Sequence, residues 1–196
     1  MNNFLQHLFK VFFRVYNETI KILGRCIALS FAIHELCPEQ LSECARLIRG
    51  AFLTIAKRYG ITLKNCPQYA AFICTEDLET RKLKGGLLFG LCEADHLAGC
   101  ACLLPPSRES GPAILELVAV QSEYRHRGYG RALVQHGEIA ARELGAPSLD
   151  IVVINENVKL KDWYKSYGFT EIGEKVSSEL PYTPCYMGLE LDRGET

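Results

Sequence analysis

The residue types able to do chemistry cluster in the second half of this chain. Arg125-His126-Arg127-Gly128-Tyr129-Gly130-Arg131 brings three arginines, a histidine and two glycines into seven residues, between an apolar run ending at Val120 and a helical pattern beginning near Tyr129. Glycine lets a ligand approach the main chain closely. The first N–H groups of a helix lack intrahelical partners and point at whatever anion lies there. The stretch therefore reads as an anion cradle. Taken singly, its arginines and His126 are ordinary loop charges; clustered at a helix start, they suit phosphate. Neither the dinucleotide-binding GxGxxG nor the phosphate-loop GxxxxGK[ST] is present.

Three further residues stand out. Glu116 lies in the apolar run beside Leu115, Leu117 and Val118. On a strand, residues 116, 118 and 120 share one face, and apolar surroundings raise a carboxylate's pKa and suit it to accept a proton. A solvent-facing or Arg-paired glutamate is the alternative. Tyr164 shares a helical face with Leu160, Trp163 and Tyr167, which by periodicity alone is a core stripe. A phenol with an ordinary pKa of about 10 also keeps a proton to donate at neutral pH. Asn157 opens the same helix and reads first as its cap.

These groups need elements to hold them. Residues 28–36 form a mostly apolar, strand-like run, and Pro38 suits the first turn of a helix. In that helix Leu41, Cys44, Ala45, Ile48, Phe52, Ile55, Ala56 and Tyr59 keep a helical period until Gly60. Residues 61–74 carry no clear period. Thr75 is the expected cap of a short helix reaching Lys84. Residues 87–93 and 97–104 read as a hairpin, and 113–120 as a third antiparallel strand feeding the cradle. The next helix has Leu133, Gly137, Ala140, Ala141 and Leu144 as its buried stripe and ends at Gly145 and Pro147. Residues 149–154 follow a strand–helix unit, so that strand should run parallel to the one before the cradle. Asn155 or Asn157 caps the last helix, and residues 169–176 and 185–191 are the final strands. The sum is an α/β fold: a mixed sheet with helices on its faces.

Arg125-x-x-Gly128-x-Gly130 after Leu-Val-Ala-Val, followed one helix and one strand later by Asn157-x-x-Leu160-x-x-Trp163-Tyr164-x-x-x-Gly168-Phe169, resembles the paired signatures of the GCN5-related N-acetyltransferases, GNAT. The resemblance covers roughly residues 30–191. It implies a single GNAT-like domain whose mostly antiparallel sheet is splayed between two parallel strands, 113–120 and 149–154. Acetyl-CoA, as co-substrate, would lie in that splay. Its pyrophosphate would rest on the main chain of His126, Arg127, Gly128, Tyr129, Gly130 and Arg131, beside Arg125. Its pantetheine arm would pair with Val118, Ala119 and Val120, leaving an N–H near Val118 for the thioester oxygen. Asn157 would touch the same arm. Tyr164 matches the family's proton donor to the departing thiolate, and Glu116 stands where some polyamine acetyltransferases carry a glutamate. Where ribosomal-protein acetyltransferases carry a glutamate five residues before the motif Asn, this chain has Val152. The acceptor implied is a small-molecule or peptide amine, bordered by 59–85 and 176–184 with Tyr59, Tyr69, Phe72 and Tyr182. A non-catalytic acyl-CoA sensor or tethering module is the alternative from another class.

Composition bounds the rest. With 48% hydrophobic residues, 23% charged and a net charge of −1, the 196-residue chain can bury a core and is of neither the disordered nor the nucleic-acid-binding class. Its nine cysteines are odd in number and contain no CxxC. They read as reduced and mostly buried, giving a cytoplasmic protein with no metal site. Residues 1–25 form an amphipathic helical pattern with four Lys/Arg against one Glu, too broken by charge to span a bilayer. Packing on the domain, or a dispensable extension, ranks above membrane or partner contact for this segment. The expected division is an extension over 1–27 and an acetyltransferase domain over 28–196. A homodimer is compatible with the sequence, which does not fix the oligomeric state.

Overall fold

A computed structural model describes residues 31–108, 110–174 and 180–191. The expectations for 1–27, for the start of the first strand and for 175–179 lie outside the described residues. The compact unit is Ala32–Thr196, with its first strand beginning one residue earlier. The elements are β1 (Phe31–Glu35), α1 (Leu41–Arg58), α2 (Thr75–Leu83), β2 (Leu87–Glu93), β3 (His96–Leu104), β4 (Ala113–Val120), α3 (Tyr129–Glu143), β5 (Ser148–Ile154), α4 (Val158–Lys165), β6 (Thr170–Glu174) and β7 (Pro184–Glu190).

One seven-stranded sheet runs in the order β1-β2-β3-β4-β5-β7-β6. The pairs β2/β3, β3/β4, β5/β7 and β6/β7 are antiparallel. The central β4/β5 pair is parallel, as expected, and joins only at Ala113↔Leu149 and Ile114↔Asp150. β4 and β5 therefore leave two unjoined edges facing each other from Leu115 onward. The main-chain polar groups along such edges need partners, and a ligand can supply them.

Helices cover the sheet on both faces. α1 begins after a 3-10 turn at Pro38–Gln40 and buries Leu41, Cys44, Ala45, Leu47, Ile48 and Ala56. These residues pack with Leu88, Cys100, Cys102, Leu117 and Ala119. On the opposite face, Leu133, Val134 and Ala141 of α3 pack with Leu91, Leu103, Leu115, Ile151 and Met187. Gly137 lets α3 lie close to β4: a Cβ there would meet Leu115 Cδ1 at 2.8 Å.

Two local expectations need correction. Leu144 is 44% exposed, because it sits at the end of α3 where the stripe has turned away from the sheet; Tyr129 and Val134 join the buried stripe instead. The cap of α2 is Cys74, one residue before Thr75, and its N–H and thiol donate to Asp77 Oδ2 at 2.8 and 3.0 Å. This is the capping-box arrangement with a thiol in place of a hydroxyl. No helix among the described residues is long and apolar enough to cross a membrane.

Candidate active site

The turn from β4 into α3 leaves a run of backbone N–H groups without protein partners among the described residues. Gly128, the residue before the helix, has φ 84°, a left-handed conformation that glycine adopts without steric cost. His126 also has a positive φ, 63°. The first helical bond runs from the Ala132 N–H to the Gly128 carbonyl, at 3.0 Å. The N–H groups of His126, Arg127, Gly128, Gly130 and Arg131 make no hydrogen bond among the described residues. A run of such donors at the positive end of a 15-residue helix suits a phosphate.

The arginines contribute less free charge than their number suggests. Arg127 pairs with Glu93 at 3.2 Å and lies over the Tyr124 ring. Arg131 lies over Tyr167. Arg125 Nε donates to the Val120 carbonyl at 3.3 Å. The donors left open at this turn are therefore mainly those of the backbone, with the guanidinium groups engaged elsewhere.

β4 carries a bulge that the sequence did not reveal. Cys100 pairs with Ala119 and Cys102 with Glu116, so Leu117 and Val118 stand opposite the single residue Ala101. Leu117 has φ 56°. The extra residue shifts the alternation by one. Ala113 and Leu115 face α3, whereas Leu117 and Ala119 face α1, with Val118 and Val120 now packed on the α3 side. Glu116 therefore does not share a face with residues 118 and 120.

Glu116 sits opposite Cys102, on the side covered by α1 and α2, and its Oε1 accepts from Arg81 Nε at 2.5 Å. Both side chains are 29% exposed. Of the two readings of Glu116, the Arg-paired one is found in place of the apolar enclosure, with a partner 35 positions away that no local spacing identifies. Its neighbour Cys102 remains a thiol, because burial pushes its pKa up to about 12.

On the far side of the split, Tyr164 is buried between Trp163 and Phe169, with ring centroids 4.8 and 5.3 Å away in edge-on geometry. Burial pushes its phenol well above the usual tyrosine range. Its hydroxyl makes no hydrogen bond among the described residues. Asn157 takes the N-cap position of α4, but its side chain makes no cap bond. The residue is only 7% exposed, and its amide has no partner among the described residues. Its amide atoms are not among the fully buried, unsatisfied side-chain groups of the described residues, so solvent or a ligand can reach them to supply hydrogen bonds. The other candidate cap, Asn155, instead accepts from Lys161 at 2.6 Å and donates to Glu174 at 3.0 Å.

The aromatics expected at the acceptor side do come together. Tyr69 stands edge-on to Phe52 and Tyr182, with centroids 5.9 and 6.0 Å apart, and Tyr59, Phe72 and Ile154 at the end of β5 join the cluster. A cleft of about 320 Å³ lies between α1 and the loop leaving β4, lined by Arg46, Gly50, Thr54, Gln121 and Arg125 among others.

Comparison with known proteins agrees with this arrangement. Residues 55–169, more than half of the chain, match the Acetyltransferase (GNAT) family. The chain belongs to that family. A mycothiol acetyltransferase of Propionibacterium freudenreichii subsp. shermanii is 28% identical over 110 residues, covering 56% of this chain and 34% of that protein. The match thus spans about a third of the curated relative's length. Among solved structures, the acetyltransferase YncA of Salmonella typhimurium with acetyl-CoA superposes at TM-score 0.65 and 18% identity, covering 85% of this chain and 97% of that one. The PaiA N-acetyltransferase of Thermoplasma acidophilum in complex with coenzyme A gives 0.66 and 18%, covering 82% and 99%. The ribosomal-protein-S18-alanine N-acetyltransferase of Escherichia coli gives 0.64 and 19%, covering 83% and 94%. At these identities the likeness to the solved structures is one of fold.

Proposed function

We propose that the chain is an acetyl-CoA-dependent N-acetyltransferase, with residues 28–196 as its catalytic domain, that acetylates a primary amine by direct attack. The observation that carries this reading is the split between β4 and β5, with the donor-rich turn directly following β4. Unjoined strand edges, a run of backbone donors and the Asn157 amide, which makes no hydrogen bond among the described residues, together suit one extended, phosphate-bearing ligand. Family membership and relatives crystallised with acetyl-CoA or CoA support the choice of that ligand.

Bound acetyl-CoA supplies an acetyl group already activated as a thioester. The main chain from His126 to Arg131 holds the pyrophosphate, with Arg125 at its border. The main chain of Val118, Ala119 and Val120 orients the pantetheine arm, which also meets the Asn157 amide, and an N–H near Val118 takes the charge developing on the thioester oxygen. Tyr164 holds its proton through the neutral range because burial disfavours the phenolate, and gives it to the leaving sulfur. Glu116 receives the amine's proton, directly or through water.

The acceptor side, with Tyr59, Tyr69, Phe72 and Tyr182 drawn together, favours a small or partly apolar amine. Val152 offers no carboxylate on β5, which disfavours a ribosomal-protein acceptor. The eight described cysteines are all free, as suits a cytoplasmic enzyme.

The test is release of free CoA across a panel of amines. The wild type turns over at least one amine. Tyr164→Phe and Glu116→Gln each lower kcat by about 100-fold while acetyl-CoA affinity stays within two-fold. If both variants keep the wild-type kcat with that amine, the two role assignments are wrong.

A further inference from the structure

The Glu116 carboxylate lies on a half-exposed strand position, where a free glutamate side chain samples several rotamers. A base serves a reaction only when it is held within a fraction of an ångström of its working position. On this face the holding group is Arg81, whose Nε takes Glu116 Oε1.

Arg81 is itself fixed at several points. Its Nη1 donates to the Asp77 carbonyl at 3.1 Å, and its own carbonyl accepts from the Gly86 N–H at 2.8 Å. The helix that carries it is tied down around it. Lys82 Nζ reaches Glu35 Oε1 at 2.6 Å and the Leu36 carbonyl at 2.9 Å, while Leu78 is wholly buried. Just before α2, Arg49 Nη1 holds the Ile73 carbonyl at 2.9 Å. The guanidinium therefore meets the carboxylate already in place, as a charge-assisted bond of defined direction. Glu116 faces this helix by regular alternation with Ala113 and Leu115, which face α3, and the bulge at Leu117 turns residues 118 and 120 to the α3 side, away from it.

We infer that Arg81 is the positioning residue for Glu116: from α2 it fixes the carboxylate for proton transfer from the acceptor amine, making α2 a working part of the acceptor side. This rests on the N-acetyltransferase reading above. It gives a short helix, packed on the sheet through Leu78 and joined to it by Arg81 and Lys82, a task beyond covering the core.

The test is steady-state kinetics of R81Q, E116Q and the double variant with an amine that the wild type turns over, together with acetyl-CoA affinity and melting temperature. R81Q is expected to lower kcat 10- to 100-fold, with acetyl-CoA Kd within two-fold of wild type. In the E116Q background R81Q is expected to add almost nothing, because the carboxylate it positions is gone. An R81Q enzyme with lowered melting temperature but wild-type kcat overturns the inference, as does a full, additive loss on top of E116Q. If R81Q does not fold, R81K carries the test: its ammonium cannot reproduce the guanidinium fork, so its kcat falls to an intermediate value, and a wild-type kcat overturns the inference. A wild type that releases no CoA with any amine overturns this inference together with the proposed activity. An active wild type with unimpaired R81Q overturns the inference alone.

Discussion

Tyr164, Tyr69 and Tyr182 are phenols whose titration burial opposes, and this has a consequence at high pH. The Tyr182 phenol is pushed up to about 12, first by burial, and those of Tyr69 and Tyr164 are pushed above the usual tyrosine range by the same cause. Unfolded tyrosines titrate near 10. Between about pH 10 and pH 12 the unfolded chain has therefore lost protons that the native chain keeps, and stability falls as pH rises through that window. Below about pH 10 the contribution is fully present. Urea denaturation at pH 9 and pH 11.5 checks this: the wild type is less stable at the higher pH, and the loss shrinks in the Tyr69→Phe/Tyr182→Phe variant. At this scale the places of Tyr164 on a helix face, of Asn157 at that helix's N-cap and of the glycine turn ahead of α3 were legible in the sequence, because each sits at a fixed spacing on one local element. The surroundings of Glu116 were not, because its partner is an arginine in another helix and the bulge at Leu117 parts it from residues 118 and 120. An apolar run such as Leu115 to Val120 carries no local mark of that bulge.

The elements themselves were largely legible, since each strand and helix follows a hydrophobic period bounded by glycine, proline or a polar turn. The misplaced ends, Leu144 and the cap at Cys74, fall where periodicity gives least information. Close packing between elements is less visible in a sequence, and Gly137 makes it testable. A side chain there would enter space held by Leu115 of β4, with Cδ1 and Cδ2 at 2.8 and 3.3 Å from the added Cβ. Gly137→Val is expected to cost about 1–3 kcal/mol by overpacking, despite removing a glycine from a helix interior. Chemical denaturation measures the loss. Gly130→Ala is a useful contrast, because its Cβ would meet only Trp163 atoms at an ordinary 3.7 Å.

The described residues form a sheet held on both faces by helices and parted at its middle. α1 and α3 fix β3 and β4 from opposite sides, while β5 continues on β7 as far as Ile154↔Pro184. The split is therefore framed by two well-packed halves, and the chain leaves β4 on one side of it for the glycine turn ahead of α3. The order of strands and helices along the chain made the parallel β4/β5 pair legible; how briefly the two strands join depends on packing that no single stretch encodes.

The central claim is that this split binds acetyl-CoA through the main chain of the cradle. Isothermal titration of acetyl-CoA into the wild type and into Gly128→Glu tests it most directly, with circular dichroism confirming that both remain folded. The account predicts saturable one-to-one binding to the wild type and its loss in the variant, where the new side chain meets a left-handed backbone and places negative charge beside the pyrophosphate. No binding to the wild type at millimolar acetyl-CoA, or equal binding to a folded Gly128→Glu, would contradict it.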